Sequence, residues 1–238
     1  MKMYLRIKAP FAAFRPMSAG WFRPTATMVT PSAAYGLLLN FAAIDSRVKE
    51  TDPEHDGKTP ASLTRTGLPL AEIALGIPED ANTPLQQTVL QQLHNYPVGA
   101  SGMPKEMMKG NKNNITPVTR EFLSELDFVL GVKTDEDFCQ RIEDGIQGKH
   151  NHERYGLPFL GDNSFLIDLV KTMATPPPTH WYEQMTNERV KQKRINDAAR
   201  LTTFIDRAGY SGTKSAMFMP MIEPVDLPSE SAWVEVGR

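Results

Sequence analysis

Cysteine is nearly missing from this 238-residue chain: Cys139 stands alone. One cysteine can form neither an internal disulfide nor a zinc ribbon, which fits a reducing compartment. Long apolar runs are also missing, so no membrane span is expected. The opening "MKMYLRIKAP" is basic but lacks a following apolar core, and no signal peptide is expected. A cytoplasmic protein follows from these expectations. The fingerprints of common enzymes are absent too: no G-x-G-x-x-G after a strand, no G-x-x-x-x-G-K-[ST], no H-E-x-x-H and no G-x-S-x-G. His150 and His152 form a His-x-His pair in "GKHNHERYG", without a further ligand nearby. No metal and no cofactor are expected.

Acids are missing from the first 44 residues, whereas Lys2, Arg6, Lys8, Arg15 and Arg23 all lie there. The net charge is only -2, so charge is segregated rather than in surplus. Other basic groups lie between Arg189 and Lys214 and in "MMKGNKNNITPVTREF", residues 107–122, which holds Lys109, Lys112 and Arg120. Acids gather in 50–56 and 121–144. Taken singly, a basic run is more often a solvated face than a site. Three runs around one sheet suggest a phosphate-facing side. Phe11, Phe14, Trp21 and Phe22 interleave with the first basic group. Cations neutralise phosphates and aromatic rings stack on splayed bases, which single-stranded RNA requires. The alternative for "FAAF" and "GWF" is core packing. His94, Asn95, Asn113 and Asn114 can donate and accept at base edges.

Alternation in "MYLRIK" predicts a strand with Met3, Leu5 and Ile7 inward and Tyr4, Arg6 and Lys8 on a polar, basic face. Thr30-Pro31 predicts a capped helix running to about Ser46. Residues 48–66 read as an exposed loop and 68–77 as a strand. Residues 86–98 are ambiguous by period, and 116–133 read as one or two strands. Phe138, Ile142 and Ile146 at spacing four predict an amphipathic helix over 135–148. Residues 163–173 read as a buried strand, "ATPPPTHW" as a break, 187–200 as polar, 200–206 and 215–220 as short strands, and the tail as extended. This order predicts an α+β fold: a ferredoxin-like (RRM-like) antiparallel core, in one domain spanning 1–238.

Several stretches resemble one family in order along the chain. "LRIKAPFAAFRP" resembles the first strand and following loop of the CRISPR-associated protein 5 family, and "TPSAAYGLLLNFAAID" its first helix. "QQLHNYPVG" and "KGNKNNITPVTREFL" resemble its thumb hairpin and return strand, and "RYGLPFLGDNSFLID" its proline-then-leucine-glycine segment. "RLTTFIDRAGYSGTKSAMFMP" is similar to the C-terminal part of the Myxan (DevS-like) branch of type I-B systems. The resemblance implies a non-catalytic subunit of Cascade, the crRNA-guided surveillance complex. It implies an RRM-like core, a thumb insertion at about 84–120 and a small C-terminal β extension at about 176–238. The implied partners are the 5′ handle of crRNA, the backbone subunit, the large subunit and target DNA held by the complex, in defence or in transposon-directed insertion. The implied handle contacts are Lys109, Lys112, Asn113, Asn114 and Arg120. His94, Asn95 and Tyr96 lie on the outgoing side of the thumb, Arg15, Trp21 and Arg23 in the first loop, and Arg154 and Lys214 further along. Two other readings stay open. One is a metal-independent crRNA-processing endoribonuclease using Lys149, His150, His152 and Tyr155. The other is a protein scaffold whose basic segments bind acidic partners.

Overall fold

The computed structural model of the chain describes residues 1–16, 21–49, 52, 55, 63–97, 113–150, 153–185 and 198–237. Its frame is built from β1 (Lys2–Ala12), α1 (Pro31–Phe41), β3 (Ala71–Pro78), β5 (Asn113–Lys133), α2 (Glu136–Ile146) and β6 (Leu169–Met173). In space these strands run β6-β1-β5-β3. The fourth, first, third and second strands of a βαββαβ chain thus lie side by side, and β1 pairs antiparallel to both β5 and β6, as β3 does to β5. That is the order of a ferredoxin-like sheet.

Residue type explains the elements. Thr30 accepts a hydrogen bond from the Ala33 N–H at 3.2 Å and Pro31 follows at the first helical position, so α1 starts where the sequence predicts. It ends at Phe41, earlier than the expected Ser46, because Ala43 takes φ 52 and Ile44 N–H turns back to the Leu39 carbonyl. Asp135 caps α2 through the Phe138 N–H at 2.7 Å, with Glu136 and Asp137 in its first turn. Leu5 and Ile7 of β1, Leu38 and Phe41 of α1, Phe128 and Leu130 of β5, and Phe138 and Ile142 of α2 share one core. Gly145 lets α2 reach α1, since a Cβ there would overlap the Phe41 carbonyl.

Beyond β3 the sheet continues through β7 (Thr179–Gln184), β9 (Lys214–Pro220) and β8 (Ala199–Phe204). The chain end returns as β10 (Val234–Val236) against β3. β7 corrects the reading of "ATPPPTHW" as a break: Thr179, Trp181 and Tyr182 are buried. The prolines end just before the strand rather than inside it, so they cost no ladder bonds. The predicted basic face of β1 is corrected as well. Tyr4 is buried with Trp181, Ala74 and Val129 in a second cluster, because the extension covers that face. Of 163–173 only Leu169–Met173 is a strand, and it is an exposed edge rather than a buried one. The strand expected from 68 begins at Ala71, leaving Leu70 exposed.

One hairpin leaves this frame. β4 (Leu85–Pro97) pairs antiparallel with the first half of β5, from Leu85 opposite Ser124 to Pro97 opposite Asn113. Thirteen extended residues span roughly 40 Å. Glu125, at φ 59, lies between the arm half of β5 and the half that pairs with β3. A short β2 (Phe22–Arg23) runs parallel to β5 at the root of the arm, Phe22 opposite Thr119 and Arg23 opposite Arg120.

Candidate nucleic-acid interface

The root of the arm is held by the turn in "FLGDNSF". Leu160 is buried and exchanges backbone contacts with Ala13 and Phe165. Gly161 has φ 77, and a Cβ there would overlap the Ala13 carbonyl, so only glycine lets the turn sit against the end of β1. Asp162 then accepts from the Ser164 N–H at 2.9 Å, which fixes its carboxylate.

Two arginines reach that carboxylate, and a third stands beside them. Arg120 Nη2 lies 2.5 Å from Asp162 Oδ2 and Arg15 Nη2 lies 3.4 Å from the same oxygen. Arg23 stands beside Arg120 across the β2–β5 pairing. Burial, then the neighbouring charges of Arg120 and Arg23, pull the Arg15 guanidinium below its ordinary value, with Asp162 acting the other way. Burial pushes the Asp162 carboxyl up, but the hydrogen bonds from Ser164 and Arg120 outweigh it and hold the group below the ordinary carboxylate range. Arg120 is only 8% exposed, and its Nε finds no partner among the described residues. One carboxylate thus serves two guanidiniums, and Arg23 adds a third positive charge beside them, which leaves the cluster cationic.

Aromatic rings frame the cluster. The Arg120 guanidinium lies 5.0 Å from the Phe165 ring centre, and Phe165 packs with Phe11 and Phe122 at 5.9 and 6.1 Å. Trp21 is 73% exposed and Phe22 is also open to solvent. The two readings of "FAAF" and "GWF" therefore divide. Ala12, Ala13 and Phe14 are core, whereas Phe11, Trp21 and Phe22 present ring surface.

The remaining expected contacts scatter. His94, Asn95 and Tyr96 lie on β4, where the register slips between His94 and Tyr96, and Asn113 and Asn114 open β5 opposite Pro97 and Tyr96. Lys109 and Lys112 lie outside the described residues. Arg154 lies away from the arm: it donates to the Gly145 carbonyl at the end of α2 and packs over Phe41. Lys214 opens β9 in the extension, opposite Phe204. Arg6 and Lys8 of β1 are neutralised. Asp127 accepts from Arg6 Nε at 2.9 Å and Nη2 at 2.7 Å and from Lys8 at 2.9 Å, and Arg6 also holds Asp80. Of the histidine group, His150 Nε2 lies 3.1 Å from the Phe41 carbonyl, Tyr155 is bonded to Arg47, and His152 lies outside the described residues. Among the described residues no group of three or more metal-ligating side chains forms. No described helix is long and apolar enough to cross a membrane. Asp162 and Phe165 are the residues that sequence reasoning missed. Their signal was the Leu-Gly-Asp-Asn-Ser run, which reads as an anchored turn.

A solved structure shares this architecture. Titled "CRISPR RNA-guided surveillance complex", it aligns over 98% of this chain and 96% of its own, with TM-score 0.54 and 13% identity. The likeness is one of fold, and it spans the chain. A second, titled "Crystal structure of Cas protein", covers 98% and 97%, with TM-score 0.41 and 14% identity. No protein-family model and no curated protein matches the chain.

Proposed function

We propose that the chain is a non-catalytic subunit of a type I, I-B-like CRISPR surveillance complex that binds and caps the 5′ handle of crRNA. The observation that carries this reading is the arm rooted in a three-arginine cluster on a ferredoxin-ordered sheet. The full-length likeness in fold to a chain of an RNA-guided surveillance complex supports it, as does the ordered resemblance of the sequence to the CRISPR-associated protein 5 family. Arg15 and Arg23 supply charge for a phosphate, Trp21 and Phe22 offer faces for splayed bases, and Lys109 and Lys112, which lie in sequence between the two strands of the arm, add further positive charge. Arg120 acts from behind, orienting the cluster through Asp162. The exposed Leu85, Val89 and Leu90 of the arm suit contact with the backbone subunit. In this reading the large subunit and target DNA are neighbours in the assembly, which serves defence or directed transposition.

The test is crRNA occupancy of the reconstituted complex. Changing Lys109, Lys112 and Arg23 to alanine together should deplete crRNA. Each lost phosphate contact should flatten the logarithmic salt dependence of binding by about 0.7. Undiminished occupancy would overturn the handle assignment. Ultraviolet crosslinks from crRNA to Trp21 are expected; their absence from the whole chain would favour a protein scaffold. Repeat RNA incubated with the isolated chain in EDTA should stay intact, and cleavage abolished by His150→Ala would instead favour an endoribonuclease.

A further inference from the structure

A second cationic concavity lies where α1 and α2 end, and it shares no residue with the arginine cluster at the arm. It encloses about 630 Å³, within the range of small-ligand sites. Lys49, Arg65, Arg141 and Arg154 all line it. The two inner arginines are held in place by helix ends: Arg141 Nη2 donates to the Ala42 carbonyl at 3.0 Å, and Arg154 to the Gly145 carbonyl. Each guanidinium has five N–H donors and spends one there. The outer pair is less committed. Lys49 Nζ is 3.3 Å from Asp45, and Arg65 Nε is 3.5 Å from Asp52, both long contacts on side chains more than a third exposed. With Arg47, which is bonded to the lining Tyr155, the described cations outnumber Asp45, Asp52 and Glu153.

An aromatic face adjoins this charge. Tyr155 is 64% exposed, and Arg47 steadies it by donating to its hydroxyl at 2.9 Å with the guanidinium 4.8 Å from the ring centre. A ring backed by a guanidinium and open on its surface is a stacking platform. An acidic peptide would use the cations and leave that platform idle. A nucleotide uses both.

We propose that this pocket is a second nucleotide site, taking a phosphate on Lys49 and Arg65 and a base on Tyr155. The proposal stands independently of the crRNA-handle reading. The same chemistry is offered by a unit within a single strand or by a free nucleotide, and the experiment separates them.

The full chain is irradiated with a 12-nucleotide single-stranded RNA carrying 4-thiouridine, and separately with 4-thiouridine monophosphate. Crosslinks are mapped by mass spectrometry. A crosslink on the peptide containing Tyr155 is expected. If RNA gives it and the mononucleotide does not, the ligand is a strand; if the mononucleotide gives it at equal concentration, a free nucleotide suffices. Lys49→Glu with Arg65→Glu should cut its yield at least tenfold. Lys49→Gln with Arg65→Gln, which is gentler to the fold, should cut it several-fold. Tyr155→Ala should weaken binding of the same probe roughly 5- to 100-fold. No crosslink at Tyr155 with either probe, or full yield in the Gln variant, overturns the pocket. Crosslinks confined to Trp21 or the arm would do so while leaving the handle reading in place. Displacement of neither probe by excess unlabelled nucleotide, but of both by a polyglutamate peptide, would also overturn it.

Discussion

At the residue scale, the cluster at the arm depends on Asp162 more than on any cation. Arg120 and Asp162 are both nearly enclosed, with side chains 10% and 13% exposed. Asp162→Asn therefore strands a buried guanidinium among two others. Breaking one side of such a pair costs about 3 kcal/mol or more. Denaturant unfolding should show that loss, and Arg120→Met added to Asp162→Asn should recover part of it, because the stranded charge goes too. If the double variant is less stable than Asp162→Asn alone, the pair does not carry the cost. The same residue sets a pH dependence, together with Asp127. Burial raises both carboxyls, yet Ser164 and Arg120 around Asp162, and Arg6 and Lys8 around Asp127, bring each below the ordinary 3.8. A depressed folded value means that the stabilisation is complete above the unfolded value and is lost as pH falls through the folded one. The unfolding midpoint should stay level from pH 7 to pH 5 and decline below about pH 4. Asp127→Asn with Asp162→Asn should make that decline shallower. These pairs explain what was illegible in the sequence. Arg120 reads as a surface cation in "TPVTREFL", but its partner stands 42 residues on; Arg6 and Asp127 are 121 apart. Periodicity reports which face a side chain takes, not which charge awaits it there.

At the element scale, legibility follows the range of the cause. Both helices start where local chemistry puts them, at Thr30-Pro31 and at Asp135. The strand β7 was hidden because its burial comes from Tyr4 and Ala74, far away in sequence, while its own flank is three prolines. The arm was legible as one ambiguous segment, 86–98, and a strand reading over 116–133, and their pairing is what resolves the first. β4 has no charged residue from Leu85 to Pro97, and among the described residues only β5 pairs with it. An uncharged edge with exposed Leu90 invites association. Leu90→Lys should leave the melting temperature within about a degree, since Leu90 is 70% exposed, and should lower any concentration-dependent self-association in light scattering. Equal association in both proteins would exclude this edge as its cause. The bend is testable as well. Glu125 holds φ 59, a region that costs a β-branched residue more than glutamate. Glu125→Val should destabilise by about 1 kcal/mol in denaturant unfolding, and Glu125→Gly should not.

At the scale of the whole molecule, the question is whether the ferredoxin-ordered part and the C-terminal extension melt together. Trp181 answers it physically. Its ring is fully buried, 6.3 Å from the Tyr4 ring centre, and its Nε1 donates to the Val225 carbonyl at 3.1 Å. Its backbone pairs with Gly76 of β3, where a Cβ would crowd Thr179 and the indole. One side chain thus bridges the first strand, the second core strand and the tail. Removing a buried tryptophan costs about 3–5 kcal/mol, a large share of a domain's 5–15 kcal/mol. Trp181→Ala should therefore lower the main calorimetric transition as one event, with the van't Hoff and calorimetric enthalpies staying equal. Trp181→Phe should lower it less, because most of the volume remains and the loss is confined to part of the ring and the bond to Val225. Two resolved transitions, the higher at the wild-type temperature, would mean that the extension is a separate unit. In that case Tyr4, on the face of β1 that Trp181 covers, would become available whenever the extension opened.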